Sequence, residues 1–447
     1  MRKTLAVGLV TCALSCVAAV PDRTSENVAK YKDICRNFVK ADFKGVYREP
    51  QGVLNYAFIV PGASYGMQLW DWDSWLAGMA LNLAVAGGTP EERTELTEHL
   101  RGCVLNFLAY AGNGGRVPIC LEPTGVPSWA HPQETGITAN MHKPCLAQQA
   151  ECISRSAGDD VAWLRDRFPA LQAFVNRYLN HYRHQATGLF FWMDDEAIGV
   201  DNDPATFFRP KRSSGSIYLN CLMFRELQAM AYLSDRLGMR EIGCYYAREA
   251  DALLASIRRH CWDPRDGFYY SVDLNLLPRA EIATGLHSGQ PRTYDCLIQR
   301  LDVWSGFMAL WSGVATEDQA REMVERHYRD RRRFNAPAGI RTLSPFEKMY
   351  DLRASGNPSP WLGPVWGVSN WMTFRGLVRY GYVADARELA EKTIVVFGKD
   401  IEQTGVLHEC YLPESGEPIV NPGFQSWNYL VIDMVEWLDA QAGRGQK

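Results

Sequence analysis

The chain reads as a long succession of amphipathic helices with almost no strands, and this most restricts what it can fold into. Thr89-Pro90-Glu91-Glu92 supplies an N-cap, a first-turn proline and a capping-box acid, after which apolar residues recur at Leu96, Leu100, Val104, Leu105 and Leu108 until Gly112. The same grammar returns at Thr316-Glu317-Asp318-Gln319 ahead of AREMVERHY. Helical patterns also fit 74–86, 145–156, 160–183, 214–237, 240–261, 300–312, 366–380, 383–397 and 425–440, about eleven helices in all, far more helix than an average globular chain carries. The connections alternate in character. Some are short, such as Gly381-Tyr382, and others are long and rich in Trp, Gly, Pro and acids. Helical hairpins arranged in a ring would produce this alternation, with tight turns on one rim and elaborated loops around a pocket on the other. No Ser, Gly or Pro-rich linker divides the chain, so residues 20–447 read as one domain.

The first twenty residues, MRKTLAVGLVTCALSCVAAV, set two cations before a short apolar run that ends in small residues, the pattern of a secretory signal. Cleavage after Ala19, behind Val17-Ala18-Ala19, fits the small-residue rule; Ala13-Leu14-Ser15-Cys16 more loosely resembles a lipoprotein site. No later window is long and apolar enough to span a bilayer, so an exported, periplasmic or extracellular protein is expected. A net charge of -4 and one short basic run, RDRRRF from Arg329, leave no field to hold a polyanion, and nucleic acid is an unexpected partner. Ten cysteines outside the leader are scattered singly with no CxxC pair, which argues against zinc and suits buried thiols in apolar helices. No EF-hand-type loop occurs either, so neither a metal nor a cofactor is expected.

Three loop-like stretches combine indoles with groups that suit a sugar: YGMQLWDWDSW (65–75), AIGVDNDP (197–204), and WLGPVWGVSNW (361–371) with its sequel HECYLPESGEP (408–418). Sugars offer apolar C–H faces that stack on aromatic rings and hydroxyls that need paired donors and acceptors. Glycoside hydrolysis needs one protonated and one ionised carboxyl, and Asp201 with Glu409 would serve. Each residue also has a plainer reading. Asp201-Asn202-Asp203-Pro204 fits an Asx turn, Asp73 fits a helix N-cap, Glu409 fits a solvated loop acid, and the Trp residues of 361–371 fit core filling between helices.

Taken together and in order, these segments resemble the inverting α-glycosidases of glycoside hydrolase family 63, which include mannosylglycerate and glucosylglycerate hydrolases, and more remotely the trehalases. LWDWDSWLAGMAL is similar to the family's tryptophan-aspartate motif, AIGVDNDP to its SGLDNSP-type acid loop and WLGPVWGVSNWMTFRGLVRYGY to its WRGPVW-type motif. HECYLPESGEP is similar to its EYYNPETGE-type base motif, and PGFQSWNYLVIDM to its closing segment. With weaker similarity such as CWDPRDGFYY (261–270), the likeness runs over roughly residues 50–440. It implies an all-α (α/α)6 toroid, Asp201 as general acid and Glu409 as general base. It further implies a sugar pocket shaped by Trp70, Trp72, Asp73, Asn202, Trp361, Gly363, Trp366 and Trp427. Leu362 stands where the family commonly has Arg, and Tyr218 where an Asp-Leu-Asn pattern is usual, so a glycerate carboxylate need not be bound here.

In an aromatic-walled pocket Asp201 is expected to keep its proton, while Glu409 is expected to face water and stay ionised. The expected protein is thus an exported, metal-independent, inverting exo-α-glycosidase that releases terminal glucose, or mannose, from a small glycoside. Trehalose hydrolysis and silent saccharide binding on the same ring are the alternatives. Polysaccharide elimination, which demands a Tyr or His base beside a uronate-neutralising cation, suits the chain least, since none of its nine His falls in an evident cluster.

Overall fold

A computed structural model describes residues 22–112, 114–128, 139–277, 292–353 and 359–444; the expected signal peptide, including Cys16, lies outside them. Twelve α-helices follow one another among the described residues: α1 Ser25–Asp42, α2 Asp71–Ala84, α3 Pro90–Ala109, α4 Leu146–Ser156, α5 Phe168–His181, α6 Ile217–Arg236, α7 Arg240–His260, α8 Met308–Ser312, α9 Glu317–Met323, α10 Gly367–Arg379, α11 Val383–Thr404 and α12 Val431–Arg444. The even-numbered helices form a closed inner ring. α2 packs on α4, α4 on α6, α6 on α8, α8 on α10 and α10 on α12, and α12 returns to α2. The odd-numbered helices lie outside them, α3 against α2 and α4, and α11 against α10 and α12. This is the (α/α)6 toroid.

Composition explains the two layers. Inner α2 and α6 are apolar nearly all round and bury residues on every side, whereas outer α7 buries a single stripe of Gly243, Tyr246, Ala250, Leu253 and Ile257. The expected caps form: Thr89 accepts from the backbone N–H of Glu92 while the Glu92 side chain accepts from that of Thr89, and Thr316 and Gln319 repeat the exchange. Three expected helices are shorter than their patterns. The 160–183 pattern begins as a 3-10 turn, Ala162–Arg167, and becomes α-helical only at Phe168, just ahead of Pro169; 300–312 and 425–440 likewise open as 3-10 turns at Trp304–Phe307 and Ser426–Leu430. Helix α1 was not among the expected segments, because its buried stripe is only Tyr31, Cys35 and Val39 in an otherwise polar sequence.

Strands are two or three residues long and serve as clasps between loops. Val365–Trp366 pairs antiparallel with Cys410–Tyr411, which pairs in turn with Pro418–Val420, fixing the residue before Cys410 beside the start of α10. Leu69–Trp70 pairs with Cys120–Leu121 and fixes the entry to α2. The ten cysteines among the described residues are all free thiols, seven of them buried. No helix among the described residues is long and apolar enough to cross a membrane.

Candidate active site

Five of the long connections converge on one rim of the ring, where they enclose a cavity of about 630 Å³. The segment before α2 and its first turn contribute Pro61, Tyr65, Trp70, Trp72 and Asp73; the α3–α4 connection gives Ile119, Asn140 and Lys143. The α5–α6 connection gives Asp194 to Ala197, Gly199, Asp201, Asn202 and Phe207, the α9–α10 connection gives Ser359, and the α11–α12 connection gives Glu409, Phe424 and Trp427.

Helix α2 begins inside the site. Its N-cap is Trp70, with Asp71 accepting from the backbone N–H of Trp72, so the N-cap reading of Asp73 does not hold. Asp71 is fully buried and ion-paired to Lys143, whose Nζ lies 2.9 and 3.0 Å from the two carboxylate oxygens and whose backbone N–H donates to Oδ2. The same ammonium sits 5.3 Å from the Trp72 ring centroid, so the pair braces that indole from behind. Asp73 accepts a 2.7 Å hydrogen bond from Ser426 Oγ; burial, its largest influence, lifts its carboxyl to about 7.

The acid loop owes its composition to crowding. Gly199 has φ +86°, and a Cβ there would meet Lys143 Cε at 2.4 Å and the Trp72 ring at 2.9 Å. Asn202, also left-handed at φ 52°, accepts from the backbone N–H of Trp361 and ties this loop to the α9–α10 connection. The local turn belongs to Asp203, which accepts from the Ala205 backbone and does not line the cavity; Asp201 does line it. Asp201 is half-buried.

Glu409 differs from expectation. It does not face water: it is only 3% exposed, and burial lifts its carboxyl to about 8, with the charges of Asp73 and Asp201 pushing the same way. Opposing them, Asn421 Nδ2 donates to Glu409 Oε2 at 2.9 Å, a bond that favours the ionised form. Tyr65 feels Glu409, Asp73 and Asp201 together, and its hydroxyl is held protonated by burial first and by those charges second. Three carboxyls therefore share one enclosure, and the charges of Asp73 and Asp201 are felt at Glu409.

Of the expected aromatic wall, Trp70, Trp72 and Trp427 reach the cavity, and Trp361, Gly363 and Trp366 do not. Trp361 and Trp366 stack face to face, centroids 4.0 Å apart and planes at 9°, beneath Trp72 and Trp427. They make the floor under the wall, which is the core-filling role. Gly363 is needed where its Cβ would strike the Tyr350 ring at 2.5 Å. Tyr218 is buried behind Trp72, and its hydroxyl finds no partner among the described residues.

The model of the mannosylglycerate hydrolase MGH1-like glycoside hydrolase domain matches residues 68–428, a span that takes in every segment lining this cavity from Gln68 onward. The chain belongs to this glycoside hydrolase family. The hydrolase is 23% identical over 92% of its length to a mannosylglycerate hydrolase of Selaginella moellendorffii, covering 86% of that protein. It is 25% identical over 44% of its length to a probable trehalase of Eremothecium gossypii, of which the match spans only a quarter. In fold it is similar to the family 63 mannosylglycerate hydrolase of Thermus thermophilus solved with glucose (TM-score 0.61, 18% identity, 92% of this chain and 99% of that one). It is equally similar to the neutral trehalase of Saccharomyces cerevisiae (TM-score 0.61, 17% identity, 87% and 75%).

Several contributors to the hydrolase's site were not singled out from the sequence. Tyr65 lies inside a stretch read as sugar-binding, and Phe424 and Ser426 lie in the closing segment that carries Trp427, so all three could have been found there. Lys143 and Asn421 carry no sequence signal, since each acquires its role from a partner that the ring brings to it.

Proposed function

We propose that this glycoside hydrolase removes a terminal α-linked glucose, with mannose as second choice, from a small uncharged glycoside, with inversion at the anomeric carbon. Asp201 is the general acid that protonates the leaving oxygen, and Glu409 is the general base that takes a proton from the attacking water. The observation that carries this reading is that the two acids, far apart in sequence, line one aromatic-walled cavity closely enough for the charge of Asp201 to lift the Glu409 carboxyl. An inverting pair stands about 6.5–9.5 Å apart to admit the water. Which group holds the proton in the empty cavity does not fix the roles; position relative to the leaving oxygen does. Trp72 and Trp427 offer faces to the sugar ring, and Trp427 Nε1, buried without an acceptor among the described residues, offers a donor to a hydroxyl.

The uncharged aglycone is supported by the lining. Among the described residues Lys143 is the single cation on the cavity wall, and it is committed to Asp71, while Asp194, Asp195 and Glu196 add acids to the lining. A glycerate carboxylate would meet repulsion there. Trehalose is the second reading, favoured by the likeness to two trehalases. Incubation with trehalose, kojibiose, nigerose, maltose and the glucosyl and mannosyl glycerates, followed by NMR, tests both. The expected result is faster cleavage of a neutral disaccharide than of either glycerate glycoside, with the β-anomer of the sugar appearing first. First-formed α-anomer refutes inversion; binding of these sugars without cleavage over long incubation returns the silent-binder reading. The leader-like first twenty residues support export as part of the same proposal, to be checked by the N-terminal sequence of the protein recovered from its native host.

A further inference from the structure

The opposite end of the ring holds a second cavity of about 570 Å³, inside the roughly 300–1,000 Å³ of ordinary small-molecule sites. Its wall comes from the inner helices α2, α4, α6, α8 and α10, so it lies at the other end of the lumen from Asp201 and Glu409. Trp75, Trp311 and Trp371 line it. Trp371 spends its indole N–H on Asp433, but Trp75 and Trp311, packed edge to face with centroids 6.0 Å apart, find no acceptor among the described residues.

Four guanidinium groups face the same space. Two are matched: Arg155 pairs with Glu151, and Arg375 pairs with Asp433. The other two are not. Arg225 donates only to the neutral Gln228, and neither it nor Arg379 has a carboxylate within ion-pair distance among the described residues. Cations at helix C-termini often merely answer the helix dipole, and Arg379, the last residue of α10, fits that reading. Arg225 does not, because it stands in the middle of α6, half-buried, where burial disfavours its charge; Glu151, which also lines this cavity, attracts it but lies beyond ion-pair distance and is already paired with Arg155.

We infer that this cavity is a binding site for an anionic sugar, a monosaccharide bearing a phosphate or carboxylate, whose ring lies on Trp75 and Trp311 and whose charge meets Arg225 and Arg379. The inference does not depend on the proposed hydrolysis, since no residue is shared between the two cavities.

Titration calorimetry of the full chain with glucose 6-phosphate, glucuronate, inorganic phosphate and glucose tests it. Either sugar anion binding at one per chain, at least tenfold tighter than glucose and tighter than phosphate, supports the site, and the ratio between the two tells phosphate from carboxylate recognition. Arg225→Gln and Arg379→Gln should each weaken binding at least tenfold, whereas Asp73→Asn, in the other cavity, should leave it within twofold. Arg379 is exposed, so its variant reports even where Arg225→Gln fails to fold. Sugar anions binding no better than glucose or phosphate, affinity unchanged in Arg379→Gln, or affinity lost in Asp73→Asn each overturn the inference.

Discussion

Glu409 and Asp73 are buried carboxyls held up to about 8 and about 7 chiefly by burial, and the charges of Asp73 and Asp201 add to the cost of ionising Glu409. As general base Glu409 must be ionised, so kcat/KM should climb as pH rises towards about 8, the value to which burial lifts its carboxyl. Asn421→Ala removes the hydrogen bond that favours ionised Glu409 and should move that limb upward by about one pH unit, the worth of one charge-assisted hydrogen bond. An unshifted limb would show that Asn421 serves only the fold. Asp201→Asn and Glu409→Gln should each lower kcat by roughly 10²–10⁴-fold with an unchanged circular-dichroism spectrum, the usual cost of losing a general acid or base. The acids themselves were legible, because Asp73, Asp201 and Glu409 sit among Trp, Gly and Pro where no periodicity accounts for them. Their environments were not: burial of Glu409 is imposed by loops distant in sequence, which is why the expected exposure of the two acids came out reversed.

Helix starts were the most readable elements, since a cap is chemistry confined to four residues. Thr89→Ala removes the acceptor of the Glu92 N–H and half of a reciprocal exchange. It should cost about 1 kcal/mol, a degree or two in Tm for a chain of this size, and leave kcat unchanged, since α3 contributes nothing to the cavity lining. The clasping strands could not be read: a two-residue pairing such as Trp366 with Cys410 has no period to detect, and its register is set by the loops it joins. Gly199 lies between these cases. Its freedom to bend was visible, but the need for a bare Cα comes from Lys143 and Trp72, delivered by two other connections. Gly199→Ala should therefore damage turnover more than stability, by displacing the Trp72 face. Measuring kcat/KM beside Tm separates the effects, and a variant with lowered Tm and normal kcat/KM would return Gly199 to a purely structural role.

Closure of the inner ring is what turns scattered acids into a site, and it carries a cost that stability measurements can read. Alternating short and long connections announced the ring and the rim on which the chemistry gathers, though not which long connections reach the cavity; the one between α7 and α8 supplies no described lining residue. Burying Glu409 lifts its carboxyl from the ordinary 4.5 to about 8, and Asp73 goes from 3.8 to about 7. Between those limits the folded chain binds more protons than the unfolded chain, so stability falls as pH rises from about 4 to about 8 and is whole only below the unfolded values. Glu409→Gln takes one of these groups out of the titration while keeping an acceptor for Asn421. The variant should match the parent in Tm near pH 4.5 and exceed it near pH 9, by a stabilisation on the order of a few kcal/mol, even as its turnover collapses. That is the trade expected where a site is built from groups the fold would rather keep neutral. Calorimetric melts of both proteins at the two pH values decide it: a variant less stable than the parent at pH 9 would mean that Glu409 is held ionised by contacts outweighing its burial, and the rising limb of kcat/KM would then lie well below pH 8.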